Sequence, residues 1–560
     1  MRDRRARLTD SAWAALLTAV ILGPLLTGSG FWLFGDMVFV PEQPWKDAWL
    51  GLDGTIPRAV PMDAVVSALT QVLPGALVQR LLLVGAFLLG GIGAGRFVGH
   101  RHTAARLAAI TLMLWNPWVY ERLLMGQWAI LAGYFLLPWV ALAALRMRRD
   151  LRRGAPAVAV VLVLSAVCSP SSGVMAALVV VVLGLRRRLG HVATVAVLAL
   201  AANLSWLLPS LLAGSETAAG EGVFEAFAAR GESSVGALPS LFALGGTWKT
   251  SIVPEERTSV VIVLLSCALT LVALLGLVRR PRPRLLLLAG ISFLLAALPV
   301  LPGGTRLLGA LGDLLPATAL LRDSHRFLAP AILVLLPGIA GAVSWARARV
   351  RPGREAMWSV VALLVVAPVL LLPSLAWGSL GRLEPASYPS DWEAVADHLD
   401  DNGPGRSIVL PWAGSYRGYA WNDRRAVLDP APRYLPGEVL IDDRVFVDGT
   451  TVPSEDPAVR EVTEALNGSD PAPALRELGV RWVVVERGMP SGPVPRGETA
   501  YKREYLTLVD LGEGVRAEPR SGAPGALSHL VVVFGHMLAT ALLLGGLILL
   551  GSRWERDGVE

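Results

Sequence analysis

The sequence predicts a polytopic α-helical membrane protein, with about 12 transmembrane helices and a small extracytoplasmic α/β domain before the last helix. Three observations carry this: the composition, the spacing of apolar runs and the placement of arginine. Of 560 residues, 53% are hydrophobic and 17% charged, with a mean hydropathy of +0.53. Soluble domains average about 25% charged residues. Crossing the hydrocarbon core takes about 20 apolar residues in a helix. Candidate runs lie at 11–34, 76–95, 105–119, 128–146, 155–169, 172–185, 192–213, 258–278, 284–301, 328–345, 356–377 and 527–551. The fifth and sixth are short, and SPSSG (169–173) reads as a tight turn joining them inside the membrane.

Orientation follows from arginine, because short cytoplasmic loops collect positive charge. MRDRRAR at the start, GHRHTAAR (99–106), RMRRDLRR (146–153), RRRLGH (186–191), RRPRPR (279–284), RARVRPGR (347–354) and SRWER (552–556) are all basic. With the first taken as cytoplasmic, alternation through the runs puts every one on that side. A bacterial plasma-membrane protein with both termini cytoplasmic is expected. The first run is too long and lacks a clean A-x-A site, so it reads as an anchor rather than a cleaved signal. The net charge of +6 belongs to these loops, which excludes a soluble nucleic-acid binder. Cys168 and Cys267, both in apolar runs, offer neither a disulfide framework nor a cysteine-based zinc site.

The organisation read from this pattern is a membrane domain over 1–378, an extracytoplasmic α/β domain over 379–525, and a final helix with a cytoplasmic tail over 526–560. Within 379–525 the runs RSIVLPW (406–412) and VRWVVVERG (480–488) read as strands. DWEAVADHLDD (391–401) and AVREVTEALN (458–467) read as amphipathic helices. That alternation suits one small α/β unit.

Three polar clusters interrupt the membrane domain on its external face. WNPWVYERLLMGQW (115–128) holds Glu121 and Arg122 among Trp115, Trp118, Tyr120 and Trp128. Such rings favour the headgroup level, so the pair is either solvated beside an aromatic anchor or aimed into a lipid-phosphate pocket. Asp36 follows the first run within FWLFGDMVFV; an acid there is costly unless it is paired or faces water, and a plain helix-ending Gly-Asp is the alternative. LRDSHRF (321–327) brings Arg322, Asp323, His325 and Arg326, either as a salt-bridged turn or as part of a site. In the α/β segment, PWAGSYRGYAWNDRRAVLDPAPRY (411–434) carries Trp412, Tyr416, Tyr419 and Trp421, which either contact a glycan acceptor or fill the domain core. Asp442 and Asp443 in IDDR read as a solvated turn.

These clusters resemble the GT-C superfamily of polytopic glycosyltransferases, whose hallmark is an acid in the first external loop, the place Asp36 occupies. NPWVYERLLMGQWAILAGYFLLPW (116–139) is similar to a pattern of YfhO-type membrane proteins and of the membrane part of actinobacterial arabinofuranosyltransferases. The resemblance covers roughly 10–378. It implies transfer of a sugar from a polyprenyl-phosphate carrier to a cell-envelope glycan or glycolipid acceptor on the outer face, with inversion. The sequence departs from the family in having no D-x-D in its first loop, where Asp47, Asp53 and Asp63 are scattered; a divalent metal is left open.

On that implication Asp36 is the general base, and Glu121 either orients Arg122 or replaces Asp36. Arg122 and Arg326 hold the departing phosphate, because guanidinium forks match phosphate oxygens. Arg322 is a further phosphate contact, and His325 a phosphate contact or a proton relay. Two rivals stand: a scaffold for envelope assembly that keeps the fold, and a lipid-linked sugar transporter or flippase. Related halves and mid-membrane acids, usual in transporters, are not evident.

Overall fold

The computed structural model describes residues 2–99, 102–213, 221–349, 356–447, 449–512 and 525–557. His100 and Arg101, the 350–354 part of the sixth basic stretch and the start of the 214–257 loop lie outside them.

Every apolar run expected to span is helical, but not every helix is long enough to cross. By length and composition, eight helices among the described residues can cross a membrane, or nine if the bent pair Ala356–Leu371 and Pro373–Leu380 counts as one span. Pro170–Gly184 and Val260–Leu275 are shorter apolar helices. The third run is also shorter than expected: its helix is Thr103–Leu114, 12 residues. Residue 116 precedes a proline, and that position is pushed out of the α region. Asn116 therefore sits in extended geometry and restarts the chain as a separate helix, Pro117–Leu124, its side chain accepting from Val119 N. SPSSG is not the expected turn over 169–173: only Ser169 leaves the helical conformation, and it caps the helix that starts at Pro170 in the same way, accepting from Ser172 N at 3.0 Å. Ser and Asn are preferred caps because their oxygens satisfy an orphan N–H of the first turn.

The α/β segment forms a five-stranded sheet in the order 498–502, 506–510, 480–486, 406–410, 438–440. The two runs read as strands are Arg406–Leu410 and Val480–Glu486, and they pair in parallel at its centre. The expected helices are Ser390–Asn402 and Pro457–Leu466. A central parallel pair is buried on both faces, which explains the continuous VVV of 483–485 where an edge strand would alternate.

This segment is clamped onto the first loop of the membrane part. Phe31–Trp32 pairs antiparallel with Pro385–Ala386. Gly35 N donates to Ala426 O and Leu428 N donates to Gly35 O, both at 2.8 Å. Asn422 Nδ2 reaches Leu33 O at 3.0 Å, and Tyr388 Oη reaches Phe39 O at 3.1 Å. The same loop crosses the end of the 117–124 helix, where Asp36 N donates to Met125 O at 2.8 Å. Two glycines permit this crossing: Gly35 at φ +56° and Gly126 at φ +75°. A Cβ on Gly126 would run into Phe34 O and the backbone nitrogens of Asp36 and Met37.

Within the α/β core, Arg417 Nε binds Glu486 at 2.6 Å, and its Nη2 lies 2.9 Å from Asp429. Burial and the neighbouring Asp429 carboxylate push Glu486 up to about 8; burial moves Asp429 in the same direction.

Two outcomes are expected. Gly126→Ala combines a left-handed residue, costing roughly 1–2 kcal/mol, with a backbone clash; thermal unfolding of the purified protein in detergent should show a clear drop in Tm. The folded chain keeps the Glu486 proton to higher pH than the unfolded chain, where the carboxyl titrates near 4.5. Stability of this domain should therefore fall as pH rises from about 4.5 through about 8. Glu486→Gln, which stays neutral, should flatten that decline in unfolding scans from pH 5 to pH 8; an unchanged slope would remove Glu486 from the effect.

Candidate active site at the junction of the first loop and the α/β domain

Asp36 is held by backbone on one side and by side chains on the other. Tyr416 Oη donates to Asp36 Oδ1 at 2.5 Å, and Gln127 Nε2 lies 3.4 Å from Oδ2. Burial and the facing carboxylate both raise the pKa of the Tyr416 phenol well above its usual value, so the phenol stays a donor. Tyr416 is nonetheless 39% exposed, and Asp36 is half-buried. The pair opens outward.

A group of cations lies near it. Lys249 Nζ sits 5.6 Å from the centre of the Tyr416 ring. Burial and the Arg382 charge lower the Lys249 ammonium, while the charge of Asp36 opposes them. Arg58 binds Glu455 at 2.6 Å and Asp443 at 3.5 Å, and Arg322 binds the other Glu455 oxygen at 3.1 Å. Arg326 Nε rests on Asp323 Oδ2 at 2.8 Å. The charges of Arg58 and Arg326 act on the Tyr416 phenol, and both also act on Arg322. Lys249, Arg58 and Arg326 are thus near enough to act on the half-buried Asp36–Tyr416 pair, while Arg322 joins Arg58 on the shared Glu455 carboxylate.

Beneath this surface lies a second, dry layer. Glu121 and Arg122 are both 0% exposed, which corrects the solvated-pair reading, and Trp115, Trp118 and Tyr120 are buried with them rather than at a headgroup boundary. Arg122 Nη1 donates to Gln127 Oε1 at 2.5 Å and to Asp323 Oδ2 at 2.8 Å. Its Nη2 meets His325 Nδ1, and its guanidinium lies 5.5 Å from the Trp118 ring. His325 Nε2 is 3.0 Å from Gly245 O. Those partners assign the neutral Nε2–H tautomer, with Nδ1 accepting from Arg122. Glu121 Oε1 accepts from Thr247 N at 3.2 Å, and Oε2 is 3.4 Å from His325 Nε2.

The sequence-derived candidates therefore divide. Asp36 and Tyr416 bond one another, whereas Arg326 pairs with Asp323 and Arg322 with Glu455. Arg122, Glu121 and His325 are 0% exposed, so a phosphate does not reach them in this arrangement. Arg122 reaches Asp36 only through Gln127. Trp412 belongs to the α/β core, its Nε1 donating to Thr463 Oγ1 at 2.9 Å, and buried Tyr419 bonds Glu486; both follow the core-filling alternative. Trp421 stacks on Tyr419 at 4.7 Å, away from Asp36. Asp442 is buried against Arg444, not a solvated turn. Sequence reasoning missed Lys249, Arg58 and Gln127. The chain has only three lysines, and their scarcity was the one available signal for Lys249. Asp63 pairs with Arg433 at 3.0 Å, Asp53 accepts from Thr55, and among the described residues no group of three or more His, Cys, Asp or Glu is arranged to hold a metal.

Breaking a buried ion pair by removing one partner costs roughly 3–5 kcal/mol, because a charge is left uncompensated. Arg122→Ala and Asp323→Ala should each lower thermal stability strongly. The Arg122→Met/Asp323→Leu double variant should recover much of the loss, a non-additivity that a double-mutant cycle reads directly.

No protein-family model and no curated protein matches this sequence. Among solved structures, the cryo-EM structure of arabinofuranosyltransferase AftD from Mycobacteria matches with a TM-score of 0.58 at 16% identity, over 91% of this chain and 40% of that one. A structure of a mutant of that enzyme matches with a TM-score of 0.57 at 17% identity, over 92% and 42%. The chain thus spans about two fifths of the length of the structures it matches. A 91% coverage also exceeds what the membrane helices contain, so the likeness extends past residue 378 into the α/β segment. At this identity the likeness is one of fold: the chain folds like the matched two fifths of those structures.

Proposed function

We propose that this protein is a membrane glycosyltransferase that moves a sugar from a polyprenyl-phosphate donor to a glycan or glycolipid acceptor at the extracytoplasmic face. The observation that carries this is the Asp36–Tyr416 pair, with Tyr416 39% exposed and Lys249, Arg58 and Arg326 near enough to act on it. An acceptor hydroxyl attacks the anomeric carbon while the carbon–oxygen bond to the lipid phosphate breaks, its electron pair leaving with the phosphate. Asp36 takes the hydroxyl proton; a positioned base of this kind contributes about 10²–10⁴-fold. Lys249 and the partly exposed arginines meet the charge that grows on the departing phosphate, where aimed cations stabilise the transition state. Tyr416 holds the carboxylate from the α/β side, and Gln127, itself held by Arg122, holds it from below. Arabinofuranose is the sugar to test first, since the structural neighbours are named for its transfer.

Asp36→Asn, made at normal membrane abundance and assayed with polyprenyl-phosphate-linked arabinofuranose and a short arabinan acceptor, should lose at least about 10²-fold in kcat. Lys249→Met should mainly lower kcat, with a smaller effect on the KM for the donor. Undiminished turnover by Asp36→Asn would sink the base assignment, and wild-type protein that releases no polyprenyl phosphate would favour the scaffold.

A further inference from the structure

A cavity of about 190 Å³ opens in the α/β domain, lined by Trp392, Tyr419, Trp421, Arg487, Glu504 and Tyr505. It is separate from the Asp36 opening. Pockets for drug-sized ligands run from roughly 300 to 1,000 Å³, so this one suits a single ring rather than an extended chain.

Its lining mixes tryptophan and tyrosine rings with two charged side chains. Trp421 is half-buried and supported from behind, stacked on Tyr419 at 4.7 Å and packed against Tyr388 at 5.1 Å. Arg487 and Glu504 stand exposed at the rim. Arg487 Nη1 bonds Arg503 O, which holds the guanidinium in place. Trp392 is 0% exposed and packs edge-on against Tyr419 at 6.0 Å, so it backs the cavity rather than facing an occupant.

We propose that this cavity binds one saccharide ring of a glycan. A sugar presents an apolar C–H face to the half-buried Trp421 ring, hydroxyl oxygens to the Arg487 guanidinium, and hydroxyl donors to the Glu504 carboxylate. An aromatic ring, a cation and a carboxylate at one cavity thereby find their complements in one ligand, whereas a purely apolar guest would leave both charged groups unused. The site stands on the cavity and its lining, independently of the transfer chemistry at Asp36.

The test uses the full-length protein in nanodiscs, with methyl α-arabinofuranoside, methyl α-mannopyranoside and methyl α-glucopyranoside as probes in saturation-transfer NMR. At least one glycoside should receive saturation from wild-type protein and from Asp36→Asn. Affinity should fall at least tenfold in Trp421→Ala and in Arg487→Ala, the second change lying at the exposed rim where folding is not at stake. Tryptophan fluorescence should change on titration with the bound glycoside. Transfer to none of the three probes, or binding unaltered in Arg487→Ala and Glu504→Gln together, would overturn the proposal. So would binding abolished by Asp36→Asn, which would assign the ring to the other opening.

Discussion

The geometry of the opening depends on a guanidinium that never meets solvent. Arg122 is enclosed on every side, and its hydrogen bonds join three parts of the chain: Gln127 just beyond its own helix, and Asp323 and His325 about two hundred residues later. Desolvating such a charge is expensive, and an isolated buried pair is weak evidence of net stability. The gain is geometric. A planar fork with fixed donors locks its partners in one arrangement, so Gln127 presents its amide toward Asp36 while Asp323 Oδ2 also accepts from Arg326 Nε. The buried layer is therefore the foundation under the half-buried Asp36 and Arg326.

The second constraint is the crossing of two backbone segments at Gly35 and Gly126. Their approach is closer than any side chain allows, and it brings the first loop, the end of the 117–124 helix and the α/β domain to one point. Because the domain is bound there by main-chain hydrogen bonds as well as side chains, Tyr416 arrives at Asp36 as part of a rigid frame. The site is thus shared between membrane part and α/β domain.

Much of this is legible in the order of residues. The strands at 406–410 and 480–486 and the helices at 390–402 and 457–466 stand out because their periodicity and turn residues agree with their burial. Asp36 stands out because an acid among apolar residues has few comfortable places to be. The aromatic-rich stretch 411–434 is harder, since a ring that fills a core and a ring that meets a ligand have the same composition. Trp412 goes to the core, Tyr416 to the opening, and Tyr419 and Trp421 to a cavity wall. The stretch 115–128 misleads for a related reason: tryptophan and tyrosine mark membrane interfaces, but they also pack around a buried arginine, and only the distant Asp323 and His325 decide which.

Sequence alone determined that the chain is built of apolar helices, that a βα segment precedes the last of them, and that acids and arginines concentrate in a few short stretches. These are local properties, set by hydropathy, periodicity and turn chemistry over ten or twenty residues. Tertiary structure decided which runs are long enough to count as spans, which charges are buried and which exposed, and that Lys249 and Arg58 join the residues around Asp36. Those outcomes rest on contacts between residues hundreds of positions apart, and burial of a charge is set by what packs around it from elsewhere in the chain.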